Sequence, residues 1–223
     1  MKTLLNVLCT TASVCLICGS LQGADAPLRL DPLPGSKVRI EGTSSIHDWQ
    51  VEGKLIGGSL EPGAGFPLGP GQALAPGKVE VKADAFIPVR SLKSIEKDGR
   101  PYSDSMDDIM YGKLLQSAHP RILYHLDELT MKAAPTGANT AYEFNATGKL
   151  VVAGVTNTIS MPVTVLSLGA NKLKIAGRTA VKMTDFGIKP PAPAIALGLI
   201  KTGDEVTLSF EWVVGQKPSS PGH

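Results

Sequence analysis

Cysteine is confined to the start of the chain: Cys9, Cys15 and Cys18 are the only three among 223 residues. Everything beyond them lacks a thiol, which excludes a disulfide framework and a cysteine nucleophile from the rest of the protein. Aromatic residues are scarce, at 5%. Neither sign of charge dominates, with 22 Lys and Arg against 20 Asp and Glu. The resulting +2 leaves no basic footprint of the kind that binds nucleic acid. No stretch is long and apolar enough for a comfortable helical membrane span of about 20 residues. What the chain does have is glycine (24) and proline (17), a composition that favours many short elements joined by turns over a helical bundle.

Residues 1–24 read as a secretory signal peptide. Lys2 supplies a positive start, residues 4–18 form a mostly apolar run, and the small residues Gly19, Ser20, Gly23, Ala24 and Ala26 follow. Cleavage fits after Ser20 or Ala24, whereas Pro27 disfavours the bond after Ala26. A lipid-modified Cys15 or Cys18 would need a small residue before it, and the chain has Val14 and Ile17 there. The expectation is a protein exported to the periplasm or secreted, not a lipoprotein. The remaining roughly 200 residues suffice for one sizeable core. They are read as a single domain over 28–215 with a disordered tail at 216–223.

Period-2 alternation dominates that domain and marks strands with one buried face. Over residues 78–89 the odd positions Val79, Val81, Ala83, Ala85, Ile87 and Val89 are apolar, while Lys78, Glu80, Lys82 and Asp84 alternate with them. Tyr142, Phe144, Ala146, Gly148, Leu150 and Val152 form a second stripe, and Ile159, Met161, Val163 and Val165 a third. Leu173, Ile175, Gly177, Thr179, Val181 and Met183 oppose Lys172, Lys174, Arg178 and Lys182. The last stripe is Val206, Leu208, Phe210, Trp212 and Val214. Residues 36–41, 49–60 and 121–131 complete about eight strands, with a bulge or bend expected at Gly57-Gly58. Short connections around 154–157, 169–171 and 202–204 suit antiparallel hairpins. One-sided apolar strands with almost no helix must close into a barrel or fold into a sandwich.

Residues 103–116 break the pattern. Met106, Ile109, Met110, Leu114 and Leu115 recur at helical spacing behind acidic residues, which predicts one short helix weakened by Gly112. Residues 62–77 are read as a surface loop and 190–193 as a proline-rich crossing.

Several letters invite chemistry and carry little of it. His47-Asp48-Trp49 lacks a nucleophile partner, and a tryptophan capping one barrel end amid loop-tethering polar neighbours is the simpler reading. A catalytic role for His47 and Asp48 ranks last. His119 and His125 with Asp127 and Glu128 do not share a strand face or a zinc-type spacing, so no metal is assigned. Asp185-Phe186-Gly187 stands without the other kinase motifs. Gly63-Ala64-Gly65 is a proline-flanked loop, and the glycosylation pattern at Asn145 falls on a strand. No cofactor and no enzyme activity are assigned.

Three stretches, GKLVVAGVTNTISMPVTV at 148–165, VEVKADAFIPVRSLKS at 79–94 followed by the helix and AHPRILYHLDEL, and KMTDFGIKP at 182–190 with the closing ALGLIKTGDEVTLSFE, stand out. They resemble the YceI-like family of polyisoprenoid-binding, lipocalin-like barrel proteins. Together they span most of 37–214. GTSSIHDWQVEGK at 42–54, the 62–77 loop and residues 190–197 look specific to one branch. The resemblance implies an all-β, antiparallel, about eight-stranded lipocalin-like barrel with one short helix in a connection.

It further implies a ligand: a polyisoprenoid, quinone or similar long amphiphile held inside. From the residues alone, a hollow barrel and a packed one stand level, because small inward residues such as Ala83, Ala85, Ala146, Gly148 and Gly177 either leave volume or merely fit curvature. The resemblance favours the cavity, lined by Val81, Ala83, Phe144, Leu150, Val163, Val181, Leu208 and Phe210. Arg90, Lys93 and His119 are the head-group candidates. Peripheral membrane contact and a homodimer stay open. The competing reading is a structural or stress-related envelope protein whose filled barrel meets a partner through lysine-rich outer faces.

Overall fold

The computed structural model describes residues 27–133, 137, 141–192 and 201–216. The segment read as a signal peptide lies outside the described residues, as does the tail beyond Gln216.

Twelve strands form one antiparallel sheet. They are β1 (Asp31–Pro32), β2 (Lys37–Ser44), β3 (Trp49–Gly53), β4 (Gly57–Pro62), β5 (Gly77–Val79), β6 (Val81–Pro88), β7 (Lys93–Ile95), β8 (Arg121–Ala133), β9 (Tyr142–Val152), β10 (Val155–Ser167), β11 (Lys172–Lys182) and β12 (Thr202–Gly215). One helix, α1 (Asp104–Lys113), lies between β7 and β8. The all-β class is as the alternation predicts, and α1, the one α-helix among the described residues, is as the helical spacing predicts. The count is corrected from eight. The stretches 49–60 and 78–89 each divide in two, and β1 and β7 are too short to show a period.

The sheet runs β4-β6-β8-β9-β10-β11-β12-β2-β3-β7, with β1 on β12 and β5 on β8. It curls into a half-barrel, and the chain joins its two sides at one point. Leu30, next to β1, exchanges main-chain hydrogen bonds with Leu60 on the edge strand β4, at 2.8 and 3.0 Å. The alternating stripes all face inward. Phe144, Leu173 and Val38 are fully buried, and their outward neighbours are exposed or half-buried.

Outside, charges pair across strands: Arg39 with Glu52 at 2.8 Å, Lys37 and Lys174 with Glu211 at 3.0 and 3.5 Å, and Arg178 with Glu41 at 3.6 Å. Surface pairs of this kind each contribute at most about 1 kcal/mol. They do, however, occupy much of the lysine-rich face.

Small inward residues turn out to seat rings. A side chain on Gly42 would strike the Trp49 ring, and one on Gly57 the Phe86 ring. At Gly177 it would meet Phe210 at 2.7 Å, and at Gly148 the Tyr124 hydroxyl at 2.6 Å. Three of these four are directly opposed cross-strand pairs. Glycine therefore gives no empty volume at 148 or 177, because an aromatic neighbour leans over it.

The hairpins hold with adjustments. The β9–β10 turn is the two-residue pair Ala153-Gly154, with φ of 49° and 83°, the left-handed combination that matches strand twist. Residues 202–204 belong to β12 and are not a connection.

Candidate functional site

The two ends of the barrel differ. At one end the chain of residues 63–76 folds back under the strands. Ser167 Oγ donates to the Leu68 carbonyl at 2.7 Å, and the Tyr142 hydroxyl lies 2.9 Å from the Gln72 carbonyl and 3.2 Å from that of Gly69. Phe66 is driven inside, 4% exposed, with its ring parallel to that of Phe144 at 6.5 Å. The segment is a loop, as read, but one that carries a buried floor rather than lying on the surface.

The other end is open. Four large hydrophobic residues there both line the interior and reach solvent: Ile46 at 64% exposed, Tyr102 and Leu123 at 43%, and Ile109 at 41%. They come from the β2–β3 turn, the approach to α1, β8 and α1 itself. Between floor and mouth lies an apolar cavity of about 490 Å³, within the ordinary range for small-molecule sites.

Seven of the eight residues read as cavity lining stand on its wall: Val81, Ala83, Leu150, Val163, Val181, Leu208 and Phe210. The eighth, Phe144, is fully buried but lies behind Phe66, which takes the cavity-facing position.

The three head-group candidates sit at the open end and point away from the cavity. Lys93 Nζ pairs with the buried Asp107 at 3.0 Å, and that bond holds the lysine above its ordinary pKa. Arg90 Nε donates to Gln116 Oε1 at 3.2 Å, and its guanidinium lies 5.8 Å from the Tyr111 ring centre. The His119 imidazole packs on Gly154 in the β9–β10 turn. None of the three lines the cavity.

Arg90 and Lys93 help fasten α1 across the mouth. Ser103 caps the helix by accepting from the Met106 amide at 3.4 Å. Tyr111 donates to the Leu92 carbonyl at 2.8 Å, and the Ser94 amide donates to Asp107 Oδ1 at 2.7 Å. Burial pushes the Asp107 carboxyl up, but the Ser94 amide and the Lys93 ammonium outweigh it and leave the group below its usual range.

The mouth has a polar lining: His47, which reading the chain set at a barrel end, and Ser44, Tyr102, Ser103, Ser105, Lys113, Lys182 and Thr202, which it missed. His47 Nδ1 is 2.8 Å from the main-chain carbonyl of Asp48, and Nε2 is 3.4 Å from the Tyr102 hydroxyl. A carbonyl only accepts, so Nδ1 is the donor in that contact. The imidazole is thus oriented by a carbonyl and a phenol. Ser44 Oγ donates to the His47 carbonyl at 2.7 Å, and Trp49 Nε1 donates to the Thr43 carbonyl at 3.2 Å. These contacts tie the turn down around a tryptophan at the barrel end. Away from the mouth, His125 Nδ1 is 2.6 Å from Asp84 on the outer face, and no cluster suited to a metal ion occurs among the described residues.

Deeper in, two buried side-chain polar atoms have no hydrogen-bond partner among the described residues: Trp212 Nε1 and the Tyr124 hydroxyl. Both residues line the cavity, on strands from opposite sides of the barrel. Burial, and secondarily the charge of Asp127, push the Tyr124 phenol up to about 12.

The model of the YceI-like domain matches residues 64–214. The chain belongs to the YceI-like family. No curated protein matches it. BcnA from Burkholderia cenocepacia shares 22% identity at a TM-score of 0.55, over 80% of this chain and 95% of that one. A polyisoprenoid-binding domain from Saccharophagus degradans, implicated in plant cell wall breakdown, shares 12% identity at a TM-score of 0.61, over 86% of this chain and all of the other. At such identities the YceI-like protein shares their fold, and its ligand is argued from its own cavity.

Proposed function

We propose that this YceI-like protein is an exported carrier that holds the apolar chain of a polyisoprenoid-like amphiphile inside the barrel. The observation that carries the reading is the 490 Å³ apolar space, closed by Phe66 at one end and open among exposed apolar residues at the other. An occupant of that shape is a chain with one end toward solvent. Burial at about 25 cal/mol per Å² lets a few hundred Å² of chain bind with few polar contacts. The name of the Saccharophagus degradans neighbour supports the isoprenoid class. The apolar start of the chain, with its thiol-free remainder, supports export. The same open space counts against a filled barrel acting only as a structural element.

We also infer that the exposed rim lets the mouth touch a membrane surface during loading, because its apolar residues are continuous with the cavity wall.

The test is to isolate the protein from a periplasmic fraction, sequence its N-terminus, and extract it for mass spectrometry under native and denaturing conditions. The expected result is a chain that starts beyond residue 20 and carries a long apolar molecule in near-stoichiometric amount. Repeated recovery of an empty protein from several hosts overturns the carrier reading. An uncleaved N-terminus overturns export.

A further inference from the structure

We propose that the mouth selects an anionic amphiphile, with Lys113 and Lys182 receiving a phosphate or carboxylate head group. The inference rests on the carrier reading and adds the chemistry of the ligand's polar end. The full chain has nearly equal numbers of acidic and basic residues. Yet the formally charged residues that line the cavity are these two lysines, with no aspartate or glutamate among the described residues. That asymmetry belongs to the site and not to the composition.

Lys113 closes α1, the helix laid across the opening, and Lys182 is the last residue of β11. Both strand and helix end at the mouth. The first lysine is half-buried and the second exposed, so both ammonium groups can meet a head group without being stripped of all water.

Neither has an ion pair among the described residues, whereas Lys93 beside them is taken by Asp107. Glu205 faces Lys182 in the β11–β12 register but forms no ion pair with it among the described residues, and the Lys182 charge helps to lower Asp204. Its oxygens, however, are held by the Thr184 amide at 2.9 Å and the Thr184 hydroxyl at 2.6 Å. Hydroxyls of Tyr102, Ser105 and Thr202 share the same lining and supply further donors. Two cations and several hydroxyl donors at the mouth of a greasy wall fit an anion covalently attached to a chain. Neutral heads gain only the hydroxyl contacts. Charge-assisted hydrogen bonds are roughly twice as strong as neutral ones, which sets the expected preference at about tenfold.

The experiment uses the full exported chain and matched probes. Farnesyl phosphate is compared with farnesol, and dodecanoate with dodecanamide, by isothermal titration calorimetry at low and high salt. The expected result is about tenfold tighter binding of the anionic member, shrinking as salt is added because the lysines are screened. In Lys113→Gln/Lys182→Gln the preference falls below about twofold while affinity for the neutral member is retained. The pair showing the larger preference identifies phosphate or carboxylate as the natural group. Equal affinity for both members of each pair in the native chain overturns the anionic head group and leaves the carrier reading standing. Binding of none of the four probes overturns the carrier reading itself. The salt dependence on the native chain decides the matter even where the double variant folds poorly.

Discussion

Single atoms decide much of what this cavity tolerates. A buried donor without an acceptor costs about 1–3 kcal/mol, and the Tyr124 hydroxyl is one such group on the wall. Tyr124→Phe removes the orphan without changing the ring. The empty protein should gain about 1 kcal/mol, read as a higher midpoint in denaturant. A loss of stability instead would mean that the hydroxyl has a partner in solution. The raised phenol has a further consequence. Unfolded tyrosine ionises near 10 while the folded group waits until about 12, so stability should fall as pH rises between those values and the Phe variant should escape that part of the loss.

The same scale explains two misplacements. Phe144 has the correct parity for the interior, yet the ring of Phe66 arrives from a distant loop and covers it, and no local period encodes that docking. Lys182 alternates with the outward residues of its strand. It stays in the extended β11 ladder opposite Glu205, and it reaches the mouth because the strand ends there, at the tight turn Met183–Phe186.

At the scale of elements, the strands were legible because each has one wet and one dry face over five or more residues. Elements of two or three residues, β1, β5 and β7, offered no period of their own to read. The helix was legible from its spacing, but not its anchor. Asp107 lies within an acidic run that reads as ordinary helix-start chemistry, while in the fold it is buried and bound to β7. Asp107→Ala leaves the Ser94 amide unpaired in the interior and should cost about 2–3 kcal/mol in chemical denaturation. Asp107→Asn keeps an acceptor for that amide and should recover at least half of the loss. Because the folded carboxyl sits below its ordinary value, its contribution is complete above pH 4 and disappears as pH falls through the lowered folded pKa. The native protein should therefore lose part of its acid-range advantage over Asp107→Asn below pH 4.

For the whole molecule, the division of labour between the two ends follows from where the long connections fall. Residues 63–76 close one end and α1 spans the other, so traffic is restricted to one opening. The rim there predicts behaviour at interfaces. Ile46→Glu and Leu123→Glu change residues that are already exposed, and the fold should survive both. Flotation with vesicles of mixed zwitterionic and anionic lipid should show weaker association for the double variant and slower uptake of lipid from vesicles. Uptake of farnesol from solution should stay the same. Unchanged flotation removes the membrane-contact proposal.

The chain has two tryptophans, and both touch the cavity: Trp49 at the entrance, and Trp212 in the interior at 4% exposure. Nature has in effect installed a pair of optical depth gauges. As a molecule slides inward, the shallow indole should change colour first and the deep one later. Rapid-mixing emission records of Trp49→Phe and Trp212→Phe would then time the passage of the cargo along the barrel without any added label.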